Sequence, residues 1–255
     1  MWTTWTYRTW SHFRGQTPVG LAFEDVHILL TPRGPGERFE RMAVTLPGSR
    51  EATEARGAEV SGFVRDYLIR AYGQFRIEGS EGSEEVAAPP VRVSGSLRVG
   101  GHVEAGQGAS EVARTVPGIE GHWPIRAALA RYADAEMAKT PAERFLGYFG
   151  VVIELYGGGA EGDALRSRLC ASALVGVLER LVATNPRVFG GRTPAALLDD
   201  FLGRQARLLA DSGAPAGPEA MAVARDALLV REAAQEALDE EARRRGSGAG
   251  ARGWG

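Results

Sequence analysis

The stretch PIRAALARYADAEMAKTPAERFLGYFGVVIELY, residues 124–156, decides the fold class of the C-terminal half. Pro124 suits a first helical position, and the apolar residues after it recur with a period of about 3.6 residues. Thr140, Pro141 and Glu143 form a capping box with Pro at its first helical position, which is a strong signal for the start of a helix. The stretch therefore predicts two consecutive amphipathic helices.

The helical period continues downstream of this pair. It predicts a third helix over residues 161–183, a fourth that opens at Thr193 and Pro194, and a last helix from near Glu219 towards Arg244. We therefore expect a bundle of about five helices over residues 122–245. The Gly-rich residues 246–255 are expected to form a disordered tail.

Upstream, strand patterns surround one long helix. Strands are predicted over residues 2–10, 26–30, 39–46, 75–78 and 91–103, with an acidic loop over 79–90 and a hairpin turn at 100–101. Ser49 is the expected N-cap of the helix and Gly73 its natural stop. Residues 1–121 are thus a β-rich domain with one long helix, with residues 104–121 as the connection, and the fold class is α+β.

The composition limits the classes of function. The net charge is −2 at pH 7, so there is no global basic surface to attract nucleic acid. Cys170 is the only cysteine, which excludes an intrachain disulfide and a multi-thiolate zinc site. The N-terminus has no apolar signal region, and no apolar run reaches about 18 residues. We expect a cytoplasmic protein with no membrane span and no cofactor.

No complete catalytic motif is present. Residues 157–162, GGGAEG, match a dinucleotide fingerprint, but a helix precedes them where that motif requires a strand, so an interhelical loop is favoured. Cys170 lies in an apolar helix and is expected to be a core or near-core thiol rather than a nucleophile. The histidines lack the helical spacing of metal ligands: His12, His27, His102 and His122.

A group of aromatic and basic residues near the N-terminus has two interpretations. The group could form a platform for single-stranded nucleic acid, or its aromatic side chains could pack in the core, and packing is favoured. The group consists of Trp2, Trp5, Arg8, Trp10, Phe13 and Arg14.

In the helical half, Arg204 and Arg207 lie three apart on one helix, with Arg187 and Arg192 flanking its start. They predict either a local basic face or a solvated helix surface, and the second is favoured.

Part of the helical half resembles a known family. AALARYADA at residues 127–135, TPAERFLGYF at 140–149 and VIE at 152–154 resemble a helix pair in proteins similar to the methylamine utilization protein MauJ and in other bacterial HEPN-like helical domains. The resemblance implies a helical bundle after β-strands. HEPN ribonucleases of this kind pair two subunits, and an Arg followed a few residues later by a His cleaves RNA without metal.

This chain departs from that catalytic motif. No histidine follows His122, so the helical half cannot supply the His. Arg225 and Arg231 are the nearest Arg positions, and with Arg204 and Arg207 they are the candidate RNA or partner contacts. The resemblance therefore implies a degenerate site rather than a working ribonuclease.

The last helix is the expected interface of a homodimer or of a complex with another protein. Leu229 and Val230 widen its apolar surface beyond what one core-facing stripe needs, although the helix could instead simply close the bundle. The predicted stripe itself is Met221, Ala224, Leu228, Ala234 and Leu238.

We therefore expect a non-catalytic interaction protein with a HEPN-like helical half. It would act with itself or with an operon-encoded partner, in a bacterial defence or methylamine-type locus. The alternative is an RNA-binding or RNA-cleaving HEPN-like protein with a degenerate site. A third class, a small-molecule enzyme with a pocket between the halves, has only the unassigned connection at residues 104–121 in its favour.

Overall fold

The structure is a computed structural model that describes residues 1–15, 17–89, 119–184, 186, 191–210 and 215–249. It confirms the α+β class, with an antiparallel sheet in the N-terminal half and helices in the C-terminal half. The chain divides into two compact units, Met1–Trp123 and Pro124–Gly255. The predicted strand at 91–103 with its hairpin turn, most of the connection at 104–121, Arg187 and residues 250–255 of the tail lie outside the described residues.

The sheet of the first unit has the strand order β3-β4-β5-β1-β6, with β2 paired to β5. All pairings between the described strands are antiparallel. The strands are β1 Trp2–Ser11, β2 Arg14–Gly15, β3 Val19–Phe23, β4 Val26–Pro32, β5 Glu37–Pro47 and β6 Phe75–Val86.

Side chains of β1 alternate between two environments, as a strand with one covered face requires. The covered face packs on helix α1, Arg50–Tyr72, which contacts β1, β5 and β6. Buried Trp5 donates its indole N–H to Thr53 Oγ1 over 3.1 Å. Gly57 leaves space for the same indole, because a Cβ at that position would lie 3.0 Å from the ring. The helix thus fixes the orientation of the central strand.

The predicted caps of α1 are confirmed. Ser49 is the N-cap, and its hydroxyl accepts a hydrogen bond from the Ala52 N–H over 3.4 Å. Gly73 ends the helix with φ 90°, a backbone region that favours glycine, and its N–H donates to the Ile69 carbonyl. Local side-chain chemistry therefore defines both ends of this helix.

Two expectations for the sheet are wrong. Residues 79–86, expected in an acidic loop, continue β6 to Val86 and pair with β1 as far as Trp2. The short strands β2 and β3 were not expected at all. For residues 79–86, pairing with β1 outweighs the poor intrinsic β-propensity of residues such as Gly82.

The second unit is helical among its described residues. A short helix, α2, Ile119–His122, ends the first unit, and a 3-10 turn at Trp123–Ile125 leads from it into the second. The longer helices are α3 Arg126–Met137, α4 Pro141–Tyr156, α5 Gly162–Cys170, α6 Leu174–Thr184, α7 Pro194–Ala210 and α8 Gly217–Ala249.

Helix α4 lies at the centre of this unit and contacts α3, α5, α7 and α8. Its buried Phe145 and Phe149 pack edge-on against Phe201 of α7, with ring centroids 6.3 and 6.0 Å apart. The predicted capping box is present: the Glu143 N–H donates to Thr140 Oγ1, and the Thr140 N–H donates to the Glu143 carboxylate. The quoted stretch therefore forms the expected pair of helices.

Two helix boundaries differ from the sequence prediction. The single helix expected over 161–183 is broken into α5 and α6, because the Ser172 hydroxyl accepts from the Leu174 N–H and donates to the Leu169 carbonyl. The last helix continues to Ala249, beyond its expected end near Arg244.

Candidate functional site

Arg231 is part of a polar network that joins α3 to α8. Its Nε donates to Glu136 Oε1 over 2.6 Å, and the hydroxyl of buried Tyr132 donates to the same oxygen over 2.8 Å. Tyr148 is buried beside them, and its pKa is raised by burial and by the negative charge of Glu136. Arg231 therefore neutralises a carboxylate of its own chain.

Arg204 and Arg225 converge on one buried carboxylate, Asp226. Arg204 Nε donates to Asp226 Oδ2 over 3.2 Å, and Arg225 Nε donates to Oδ1 over 3.3 Å. The Arg204 side chain is largely covered and also lies 3.5 Å from Glu219. Because a buried carboxylate needs a paired charge, this cluster is explained by the packing of α7 on α8.

The four candidate contact arginines thus do not form one free basic face. Arg207 is exposed and has no carboxylate within ion-pair distance among the residues that the structure describes. Arg192 pairs with Asp200 over 2.8 Å. Among the described members of the predicted set, only Arg207 presents a positive charge with no carboxylate partner in the described part of the chain.

The expectation that Leu229 and Val230 widen the apolar surface of α8 is wrong, because both side chains are buried. The side chains are 3% and 0% exposed, so neither widens the surface of α8. Val230 faces Phe149, Val152 and Leu178 in the core of the helical unit. Both residues point towards the bundle because successive helix positions differ by about 100°, which turns them away from Leu228.

Three other large apolar side chains are exposed on the last two helices. Leu209 of α7 is 68% exposed, and Met221 and Leu228 of α8 are 70% and 63% exposed. Met221 and Leu228 are seven residues apart, which places them two turns apart on one face of α8. We call these three residues the α7–α8 patch. Singly exposed apolar residues are ordinary, but Met221 and Leu228 share one face of α8, and this shared face is the candidate contact surface, with Leu209 as an additional exposed residue on α7.

The N-terminal aromatic and basic residues divide between the two faces of the sheet. Trp5 and Phe13 are buried, and Phe13 packs against Phe39, which confirms the packing interpretation for both. Trp2 and Trp10 project from the opposite face of β1 and are half-buried. Only these two aromatics remain accessible for a ligand.

Trp10 lies at the centre of a basic cluster. The guanidinium carbons of Arg38 and Arg76 lie 4.9 and 5.6 Å from the centroid of its ring, within cation–π range. Arg76 is the β6 partner of Trp10, and Arg38 is the β5 partner of Arg14. We call Trp10, Arg14, Arg38 and Arg76 the Trp10 patch. Sequence reasoning missed Arg38 and Arg76, because only strand register brings them to Trp10.

The metal, thiol and dinucleotide sites considered in the sequence analysis are not assembled among the described residues. Within the described ranges, no group of three or more His, Cys, Asp or Glu side chains is arranged to hold a metal ion. Cys170 is half-buried and is not part of a disulfide. Residues 157–162 connect α4 to α5, as expected of an interhelical loop. His102 lies outside the described residues. No helix among the described residues is both long and apolar enough to cross a membrane.

Comparison with protein-family models, with curated proteins and with solved structures finds no match to this chain.

Proposed function

We propose that the protein is a non-catalytic interaction protein that pairs with a second copy of itself through its helical unit. The observation that carries this proposal is the α7–α8 patch, in which Leu209, Met221 and Leu228 are each about two-thirds exposed. The HEPN-like character of residues 127–154 belongs to the same proposal, since proteins of that kind pair through their helices.

The charges that flank Leu228 favour a second copy as the occupant. Arg225 precedes Leu228 by one turn, and Glu232 follows it by one turn on the same side of α8. Two copies of α8 that cross in antiparallel directions at Leu228 bring Arg225 of one protomer towards Glu232 of its partner. A two-fold interface requires this self-complementarity, because the same surface is used twice.

The size of the patch sets the expected affinity. Burying six such side chains, three from each protomer, stabilises a dimer by about 6–12 kcal/mol before association is counted. Association itself costs at least about 4 kcal/mol. The expected dissociation constant is therefore on the order of micromolar or weaker, and the pairing is concentration-dependent.

The test is sedimentation velocity of the whole chain between about 5 and 200 µM. We expect the wild type to shift towards a dimer as concentration rises, and the double variant Met221→Glu, Leu228→Glu to stay monomeric with an unchanged circular dichroism spectrum. Met137→Glu is the matched control, because it places the same charge at an exposed methionine of α3, outside the patch.

A wild type that stays monomeric across the whole range contradicts self-association. So does a Met137→Glu variant that dissociates as completely as the patch variant, because the effect would then be one of charge and not of the patch. The RNA alternative is not favoured at Arg204 and Arg231, since Asp226 pairs with Arg204 and Glu136 pairs with Arg231.

A further inference from the structure

The Trp10 patch is arranged in a way that folding alone does not require. Trp10 projects from the face of β1 opposite to α1, so its indole is not part of the core between sheet and helix. Arg14, Arg38 and Arg76 are exposed, and none lies within ion-pair distance of a carboxylate among the residues that the structure describes. Three uncompensated guanidinium groups therefore surround one partly exposed indole.

Strand register increases the local charge. Arg14 is directly opposite Arg38, and Arg8 is directly opposite Arg41. Like charges directly opposite each other destabilise a sheet. Arg8 is offset by Glu78 at 3.3 Å and Arg41 by Glu81 at 2.9 Å, whereas no carboxylate of the described residues pairs with Arg14 or Arg38. This end of the sheet thus keeps an electrostatic cost that a bound anion would remove.

We propose that the Trp10 patch binds single-stranded nucleic acid. The indole holds the planes of Arg38 and Arg76, so less side-chain freedom is lost when they contact a ligand. A base can stack on a guanidinium plane or on the indole, while the neighbouring guanidinium groups contact phosphates. A single strand is favoured over a duplex because its bases are free to stack on the flat face of an open sheet.

The number of charges predicts a weak, salt-dependent interaction. Three arginines that each neutralise one phosphate of a single strand give a slope of log K against log salt of about −2. Raising the salt from about 50 to 200 mM then weakens binding roughly fifteenfold. The overall charge of −2 is compatible with this, because the effect depends on a local cluster.

The experiment measures the fluorescence anisotropy of labelled oligothymidylate and oligouridylate of about 12 nucleotides with the full chain. An abasic strand of the same length and charge separates base stacking from phosphate contacts. We expect Arg38→Ala with Arg76→Ala to weaken binding at least tenfold and to reduce the salt slope to about −0.7, the value for one remaining contact. Trp10→Ala should also weaken binding, and Trp10→Phe should largely restore it.

The matched control is Arg50→Ala with Arg144→Ala, which removes two exposed arginines outside the patch. It should bind as the wild type does. If it loses binding while Arg38→Ala with Arg76→Ala does not, the contact lies elsewhere and the proposal is overturned. No binding at about 50 mM salt overturns it as well. Equal competition by polyglutamate, or equal binding of the abasic strand, would show a surface for acidic polymers and not one for bases.

This inference is independent of the proposed dimer. The Trp10 patch belongs to the unit Met1–Trp123, and the α7–α8 patch belongs to Pro124–Gly255. Arg38→Ala with Arg76→Ala should therefore leave the sedimentation profile unchanged. Circular dichroism melts of each variant check that the sheet remains folded.

Discussion

Leu228 and Leu229 are neighbours of the same residue type on α8, yet the structure gives them opposite roles. Leu228 is 63% exposed and Leu229 is 3% exposed. Replacing each with alanine makes the same chemical change in the same helix. Because leucine and alanine have similar helix propensities, the difference between the two variants reports burial alone.

The magnitudes follow from that contrast. Leu229→Ala should lower the free energy of unfolding by about 2–5 kcal/mol, through lost apolar burial and the cavity that is left. Leu228→Ala should change it by no more than about 0.5 kcal/mol when the protein is dilute. In a thermal melt, Leu229→Ala should lower the midpoint by roughly 2–4 °C for each kcal/mol.

The assay is urea denaturation of both variants at low micromolar concentration, followed by circular dichroism at a helical wavelength. Leu228→Ala should show its main effect at high concentration, as a weakened dimer. Equal loss of stability in the two variants would refute the assignment of faces on α8, and a larger loss in Leu228→Ala would reverse it. The second result would restore Leu229 as a surface residue.

Two further predictions concern single side chains. Thr53→Val removes the acceptor of the buried Trp5 indole N–H and should destabilise the protein by about 1–3 kcal/mol, whereas Thr6→Val on the other face of β1 should be near neutral in the same urea titration. The hydrogen bonds from the Thr140 N–H and hydroxyl lower the pKa of Glu143 below its ordinary value of 4.5. The ionised Glu143 carboxylate therefore stabilises the fold above pH 4.5, and this stabilisation is lost as the pH falls through the lowered pKa. The difference in melting temperature between wild type and Glu143→Gln should therefore be visible at neutral pH and shrink in acid; a constant difference would contradict the assignment.

Local signals in the sequence predict much of the helical structure. The hydroxyl of Ser49, the left-handed backbone of Gly73 and the capping box at Thr140 all act within a few residues of the boundary they define. The break at Ser172 is equally local, but a serine within an apolar run signals a break only when its hydroxyl finds backbone partners. Strand β6 could not be predicted in full because its last residues are held by pairing with β1.

The faces of α8 could have been separated from the sequence alone. Each residue turns the helix by about 100°, so Leu228 returns to within about 20° of Met221. Around the helix axis, Ala234 lies about 140° from Met221, and Leu238 lies about 100° from it. Met221 and Leu228 therefore cannot share a stripe with Ala234 and Leu238, and the structure exposes the first two and buries the other two. The predicted stripe combined a surface face with a core face.

The Trp10 patch illustrates why adjacency along the chain is a poor guide to a sheet surface. Trp5 and Phe13 were grouped with Trp10 because they are close in sequence, but Trp5 points to the opposite face and Phe13 is buried. Arg38 and Arg76 come from other strands, and a slip of one residue in register would move Trp10 to the covered face. Carboxylates offset Arg8 of β1 and Arg41 of β5, whereas none among the described residues pairs with Arg14 of β2 or Arg38 of β5. We therefore expect an anionic ligand at the end of the sheet where strand register places the accessible indole of Trp10 beside the guanidinium groups of Arg38 and Arg76.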